Sequence, residues 1–155
     1  MTRMPFKKLL LTALASFALT AWSADLPAKF DPTRDAAKDV AMAVSLAKAQ
    51  GKHVIVDVGG EWCSWCHLLD GFIAADTDVK AVLDKSYVWV KVNYSPENQN
   101  KVVLGQWPAA KGYPHLFVLD KQGALVASQN TGELEAGKGY DKTKVLAVLR
   151  RFAQD

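Results

Sequence analysis

The chain has 155 residues, half of them hydrophobic and 23% charged, which suits one globular domain built on one core. Its net charge of +3 arises near the amino terminus: setting Arg3, Lys7 and Lys8 aside from the 19 Lys and Arg leaves 16 against 16 Asp and Glu. A chain so balanced lacks the basic bias of a protein that binds nucleic acid or an anionic lipid surface.

Residues 1–23 read as a secretory signal peptide. Arg3, Lys7 and Lys8 precede an apolar stretch from Leu9 to Ala21, and Ala21-Trp22-Ser23 places small residues where a signal peptidase reads them, favouring a cut before Ala24. The apolar run of about 13 residues is short of the roughly 20 that span a bilayer, which argues against the alternative of an uncleaved anchor. The expected location is therefore the periplasm, where disulfides persist.

Residues 24–33 hold Pro27 and Pro32 and no periodic pattern, and are expected to form an extended lead-in to a domain over 34–155. From Asp35 the spacing of Ala36, Val40, Ala43, Val44 and Ala47 predicts a helix that Gly51 stops. His53 to Val58 is β-branched and apolar and predicts a buried strand, which Gly59 and Gly60 end. A helix is predicted from the Cys63 region to about Ala75, with Leu68, Leu69, Phe72 and Ile73 as its apolar face, and a shorter one from Asp76 or Thr77 to about Leu83. Tyr87 to Val92 alternates as a strand; Asn93 to Ala110 reads as a loop with a short helix near Lys101 to Gln106. His115 to Leu119 predicts a strand that turns at Asp120–Gly123 and returns over Ala124 to Ser128. An amphipathic helix follows Asp141 or Thr143, with Val145, Leu146, Leu149 and Phe152 on one face. This order predicts an α/β sandwich around a mixed sheet.

Cys63 and Cys66 are the only cysteines of the chain. At the first turn of a helix a cysteine meets unpaired backbone N–H groups and the positive end of the helix dipole, both of which favour thiolate. Cys63 at that position is expected to be exposed and nucleophilic, with Cys66 one turn behind it, an arrangement suited to thiol–disulfide exchange.

The stretch Val56-Asp57-Val58-Gly59-Gly60-Glu61-Trp62-Cys63-Ser64-Trp65-Cys66 resembles the active-site strand and helix start of the thioredoxin family. Lys91-Val92-Asn93 is similar to that family's Lys-x-Asn, Gly112-Tyr113-Pro114 to its Gly-x-Pro with a cis proline, and Asp120-Lys121-Gln122-Gly123 to its hairpin turn. The resemblance covers about residues 34–153 and implies a thioredoxin-like three-layer sandwich, a central mixed β-sheet flanked by helices. It implies Cys63 as attacking nucleophile, Cys66 as resolving thiol and Asp57 as the buried carboxyl that exchanges protons with Cys66. Trp62, Trp65, Tyr113 and Pro114 would border the bound substrate, although Trp65 serves equally as a cap on the helix. His67, in place of the family's lysine, and Lys91 would modulate the site. The implied partners are protein thiols and disulfides, with a membrane thiol-transfer protein as electron donor to a reductase. No bound cofactor is implied, and no dimerisation segment is apparent, which favours a monomer.

Ser64-Trp65 stands where the family has Gly-Pro, and Tyr113 and His115 flank the proline with bulky groups, so potential and substrate preference are not transferable. Rival readings exist. Cys63-Ser64-Trp65-Cys66-His67 also matches the c-type haem attachment signature, in which His67 would be an axial ligand, but Asp57 and Gly112-Tyr113-Pro114 then have no role. A metal held by Cys63, Cys66 and His67 lacks a fourth ligand. A purely structural disulfide would close too small a loop to stabilise the chain appreciably. A binding module that keeps the fold without turnover is the remaining alternative.

Overall fold

The structure, a computed structural model, describes residues 25–153; the signal-peptide reading of residues 1–23 lies outside the described residues. Helix α1 (Ala36–Gln50) starts at Asp35, whose carboxylate accepts the Lys38 N–H, and ends at Gly51 with φ 67°. Strand β1 (His53–Gly59) leads into α2 (Ser64–Ala75), then α3 (Thr77–Ser86), whose first turn is capped by Asp76. Strand β2 (Tyr87–Asn93) is followed by the single turn α4 (Lys101–Leu104), then β3 (His115–Leu119) and β4 (Leu125–Asn130). A 3-10 turn over Thr131–Leu134 and a two-rung hairpin, β5 (Glu135–Ala136) with β6 (Gly139–Tyr140), precede α5 (Lys142–Phe152).

The main sheet runs β2-β1-β3-β4 and is mixed, as the sequence predicts: β1 and β2 are parallel, β1 and β3 antiparallel, β3 and β4 antiparallel. β1 is buried along its whole length because both of its faces are covered. Val54, Val56 and Val58 join Ala43 and Ala47 of α1 and Val103 of α4 in one core. Ile55 joins Leu69, Val79, Leu83, Val145 and Leu149 from α2, α3 and α5 in the other. The period-2 alternation of side chains thus feeds two cores from one strand, and the three layers follow. At roughly 25 cal/mol per Å² of apolar surface, each fully buried valine of β1 contributes on the order of 1.5–3 kcal/mol.

Three departures from the sequence reading have physical reasons. β2 does not alternate between core and solvent: although it is an edge strand, α1 packs on one face and α3 on the other. The lead-in lacks regular structure but is not free, since Phe30 is 2% exposed and packs against the cysteines. The β5–β6 hairpin has no counterpart in the sequence reading, because two-residue strands carry no periodic signal; it packs against α2 and brings Tyr140 to the site. Among the described residues, no helix is long and apolar enough to cross a membrane.

Candidate active site

β1 and α2 are joined by Gly60-Glu61-Trp62-Cys63, and the tight connection places both cysteines at the end of the strand. Cys63 is the N-cap of α2: its sulfur accepts the Cys66 N–H at 3.2 Å, and its carbonyl accepts the N–H groups of Cys66 and His67. The two sulfurs are bonded as a disulfide with the Cα atoms 5.2 Å apart. Cys63 is less open than the sequence reading expects, at 4% exposure, because Phe30, Trp65 and Tyr113 pack around the pair. Cys66 is 1% exposed, which fits a resolving thiol.

Gly59 marks how closely helix and strand approach. A Cβ built there would collide with Cys66 Sγ and lie 3.1 Å from the Phe30 ring. Cys66 therefore lies over the face of β1 that carries Gly59, and Asp57, two residues back, points to that same face. Asp57 pairs in register with Lys91 on β2. Its Oδ2 accepts from Lys91 Nζ at 2.9 Å, while Oδ1 is buried without a hydrogen-bond partner. Burial pushes the Asp57 carboxyl up to about 6, against the pull of the Lys91 ammonium, so the acid titrates near neutrality.

Lys91, a modulating residue on the sequence reading, is 8% exposed and ion-paired within the core. Besides Asp57, its Nζ donates to Asp70 Oδ1 at 2.7 Å and lies 4.1 Å from the centre of the Phe30 ring. Burial works against its charge, and the two carboxylates more than restore it, leaving the ammonium raised above its usual range. His67 Nε2 contacts the Glu61 carbonyl oxygen at 2.8 Å and lies 3.8 Å from the Glu61 carboxylate, on an exposed edge. Glu61 also accepts the Phe30 N–H at 2.9 Å, which fixes the lead-in over the cysteines.

The residues expected to border a substrate form an aromatic rim. Trp62 is 58% exposed; its Nε1–H donates to the Tyr94 carbonyl at 2.8 Å, and its ring meets Tyr113 edge-on. A Cβ at Gly60 would strike the Trp62 ring, so only glycine lets the indole fold back there. Tyr113 stacks on Tyr94 at 4.8 Å. Trp65 packs edge-on against Tyr140, whose hydroxyl donates to the Trp65 carbonyl at 3.3 Å. The Tyr113–Pro114 peptide is cis and Pro114 is buried. His115 pairs with Val58 and so faces the opposite side of the sheet, bonded to Ser128 Oγ at 2.8 Å. Burial lowers its basicity.

The geometry does not suit a porphyrin: Cys66 is closed in by Gly59 and Phe30, and His67 is engaged by Glu61. Asp70, Phe30 and Tyr140 are site residues that sequence reasoning missed. Only Asp70 carried a signal, an acidic residue one helical turn beyond Cys66 on α2.

A family model described as thioredoxin-like matches residues 35–121. The thiol:disulfide interchange protein DsbD of Colwellia psychrerythraea is 30% identical over 97 residues, 61% of this chain and 16% of that protein. Its counterpart from Pseudoalteromonas atlantica is 27% identical over 99 residues, 63% of this chain and 17% of that protein. The chain thus spans about one sixth of the length of these curated relatives. Among solved structures, the disulphide isomerase from Xylella fastidiosa Temecula1 is similar in fold, with a TM-score of 0.67 and 22% identity over 84% of this chain and 98% of that one.

Proposed function

Because the chain belongs to the thioredoxin-like family, we propose that it is an exported thiol–disulfide oxidoreductase that reduces disulfides of protein substrates in the periplasm. The observation that carries this reading is the Cys63–Cys66 disulfide at the N-terminus of α2, with a buried carboxyl that titrates near neutrality on the adjoining strand. The pattern of residues 1–23 supports export and cleavage before the domain.

In the reduced protein, the Cys63 thiolate attacks one sulfur of a substrate disulfide. The other substrate sulfur leaves as thiolate and takes up a proton, and a mixed disulfide links Cys63 to the substrate. Cys66 then passes its proton to Asp57 and attacks Cys63 Sγ. The second substrate thiolate leaves, is protonated in turn, and the Cys63–Cys66 disulfide closes. The substrate gains two electrons, both from the chain, and two protons, one from Cys66 by way of Asp57 and one from solvent. Turnover requires an external dithiol donor, for which a membrane thiol-transfer protein is the fitting class. Trp62, Trp65, Tyr113 and Pro114 border the docking surface, His67 adjusts the charge at its edge, and Lys91 modulates the site from beneath through Asp57.

The direction is supported by electrostatics. Strong oxidants stabilise their thiolate. Here Asp57 places a second negative charge on the same face of β1, and His67 is turned to the carbonyl and carboxylate of Glu61. Neither group therefore gives the reduced state the thiolate stabilisation that marks a strong oxidant, which supports the reducing direction.

The test is to trap the intermediate. A reduced Cys66→Ser variant incubated with a disulfide-containing model protein is expected to accumulate a mixed disulfide at Cys63, identified by mass spectrometry. A Cys63→Ser variant is expected to give none. Equal adducts at either cysteine would remove the assigned order of attack.

A further inference from the structure

Lys91 Nζ sits between two carboxylates, Asp57 Oδ2 at 2.9 Å and Asp70 Oδ1 at 2.7 Å. The two acids differ in setting. Asp57 is 1% exposed, with one oxygen unpartnered, whereas the Asp70 side chain is 40% exposed. Asp70, Lys91, Trp89 and Leu83 line a cleft of about 420 Å³ beside α2 and α3, as do Lys80 and Asp84, which pair with each other at 3.0 Å. On the side of the cysteines the ammonium is covered by the Phe30 ring. The buried carboxyl thus reaches solvent through Lys91 and Asp70, away from the docking surface.

We propose that Asp70 is a positioning residue for proton transfer from Cys66 to Asp57: it draws the Lys91 ammonium toward the cleft and so leaves an Asp57 carboxylate oxygen free to take the proton. This rests on the reading of Asp57 as the base. One ammonium shared by two carboxylates neutralises neither fully, and the more buried acid is the one that becomes harder to ionise. Without Asp70, Lys91 would pair with Asp57 alone and hold it ionised, a poorer acceptor that loses its proton at lower pH. The other groups facing this chain are few. Tyr140 approaches from β6, the two cysteines from the start of α2, Lys80 and Asp84 from α3, and β3 presents apolar Leu116 opposite Asp57.

The experiment follows closure of a glutathione mixed disulfide on Cys63 by tryptophan fluorescence between pH 4 and pH 8. Wild type, Asp70→Asn, Asp70→Glu and Asp57→Asn are compared. The wild-type rate is expected to fall on the acid side as Asp57 takes up its proton. In Asp70→Asn that fall moves to lower pH, so the rate at pH 5, relative to the same variant at pH 8, rises about threefold to fivefold, as a shift of half a unit to one unit from about 6 requires. Asp70→Glu, which keeps the charge, restores the wild-type midpoint. Asp57→Asn loses the midpoint near 6 and instead declines steadily across the range, as closure through the Cys66 thiolate alone requires. If Asp57→Asn loses the midpoint while Asp70→Asn leaves it in place, the role of Asp70 is overturned and the base survives. If the midpoint persists in Asp57→Asn, both are overturned.

Discussion

At the scale of single residues, Asp57 is the most consequential departure from ordinary protein chemistry. Its folded value of about 6 lies above the usual 3.8, so the folded chain holds this proton more tightly than the unfolded chain. The stability it contributes is full below about pH 4 and lost as pH rises through about 6. Unfolding of wild type and Asp57→Asn by urea, with the disulfide intact, checks this: the variant is expected to gain stability relative to wild type between about pH 4 and pH 6 and no more above about pH 7. A difference independent of pH would show that Asp57 is not perturbed. Gly59 is the second test. Ala at this position forces its Cβ into Cys66 Sγ and the Phe30 ring, an overpacking cost of about 1–3 kcal/mol, and a variant as stable as wild type would mean that α2 does not approach β1 as described. The places of Cys63, Cys66, Asp57 and Pro114 in the fold were legible in the sequence because motif and strand register fix them locally. Asp70 and Phe30 were not, since their roles arise only where distant segments meet.

At the scale of elements, the strand-to-helix junction at β1 and α2 carries the chemistry, and short unpatterned pieces complete it. The lead-in has the sequence of an extended approach chain, yet the Glu61 carboxylate holds Phe30 over both the cysteines and Lys91. Nothing in Lys29-Phe30-Asp31 marks a core residue, because one buried aromatic between prolines has no period to detect. Phe30→Ala is expected to cost about 3 kcal/mol or more in unfolding free energy, in keeping with truncation of a buried aromatic. In the reduced variant Cys66 is expected to react with iodoacetamide several-fold faster than in wild type, as followed by mass spectrometry, because its cover is gone. An unchanged alkylation rate would show that other groups shield the thiol. The β5–β6 hairpin is the parallel case: its strands are too short to leave a pattern, but Tyr140 meets Trp65 from it. The regular elements with strong periodicity or caps, α1, β1, α3, β3 and α5, follow their sequence signals closely.

At the scale of the whole molecule, a mixed four-stranded sheet between two helical layers carries one redox pair at the end of its most buried strand. With residues 1–23 set aside, the 16 basic and 16 acidic residues make no general electrostatic field, and the proposed docking surface is the aromatic rim of Trp62, Trp65 and Tyr113. The central claim is that Cys63 and Cys66 cycle between dithiol and disulfide on the reducing side. An equilibrium titration of the purified domain against glutathione and dithiothreitol, read by tryptophan fluorescence and thiol alkylation, tests it most directly. A two-electron midpoint near about −270 mV is the predicted result. A midpoint near about −120 mV would make the chain an oxidant, and thiols that resist alkylation after full reduction would contradict dithiol chemistry altogether.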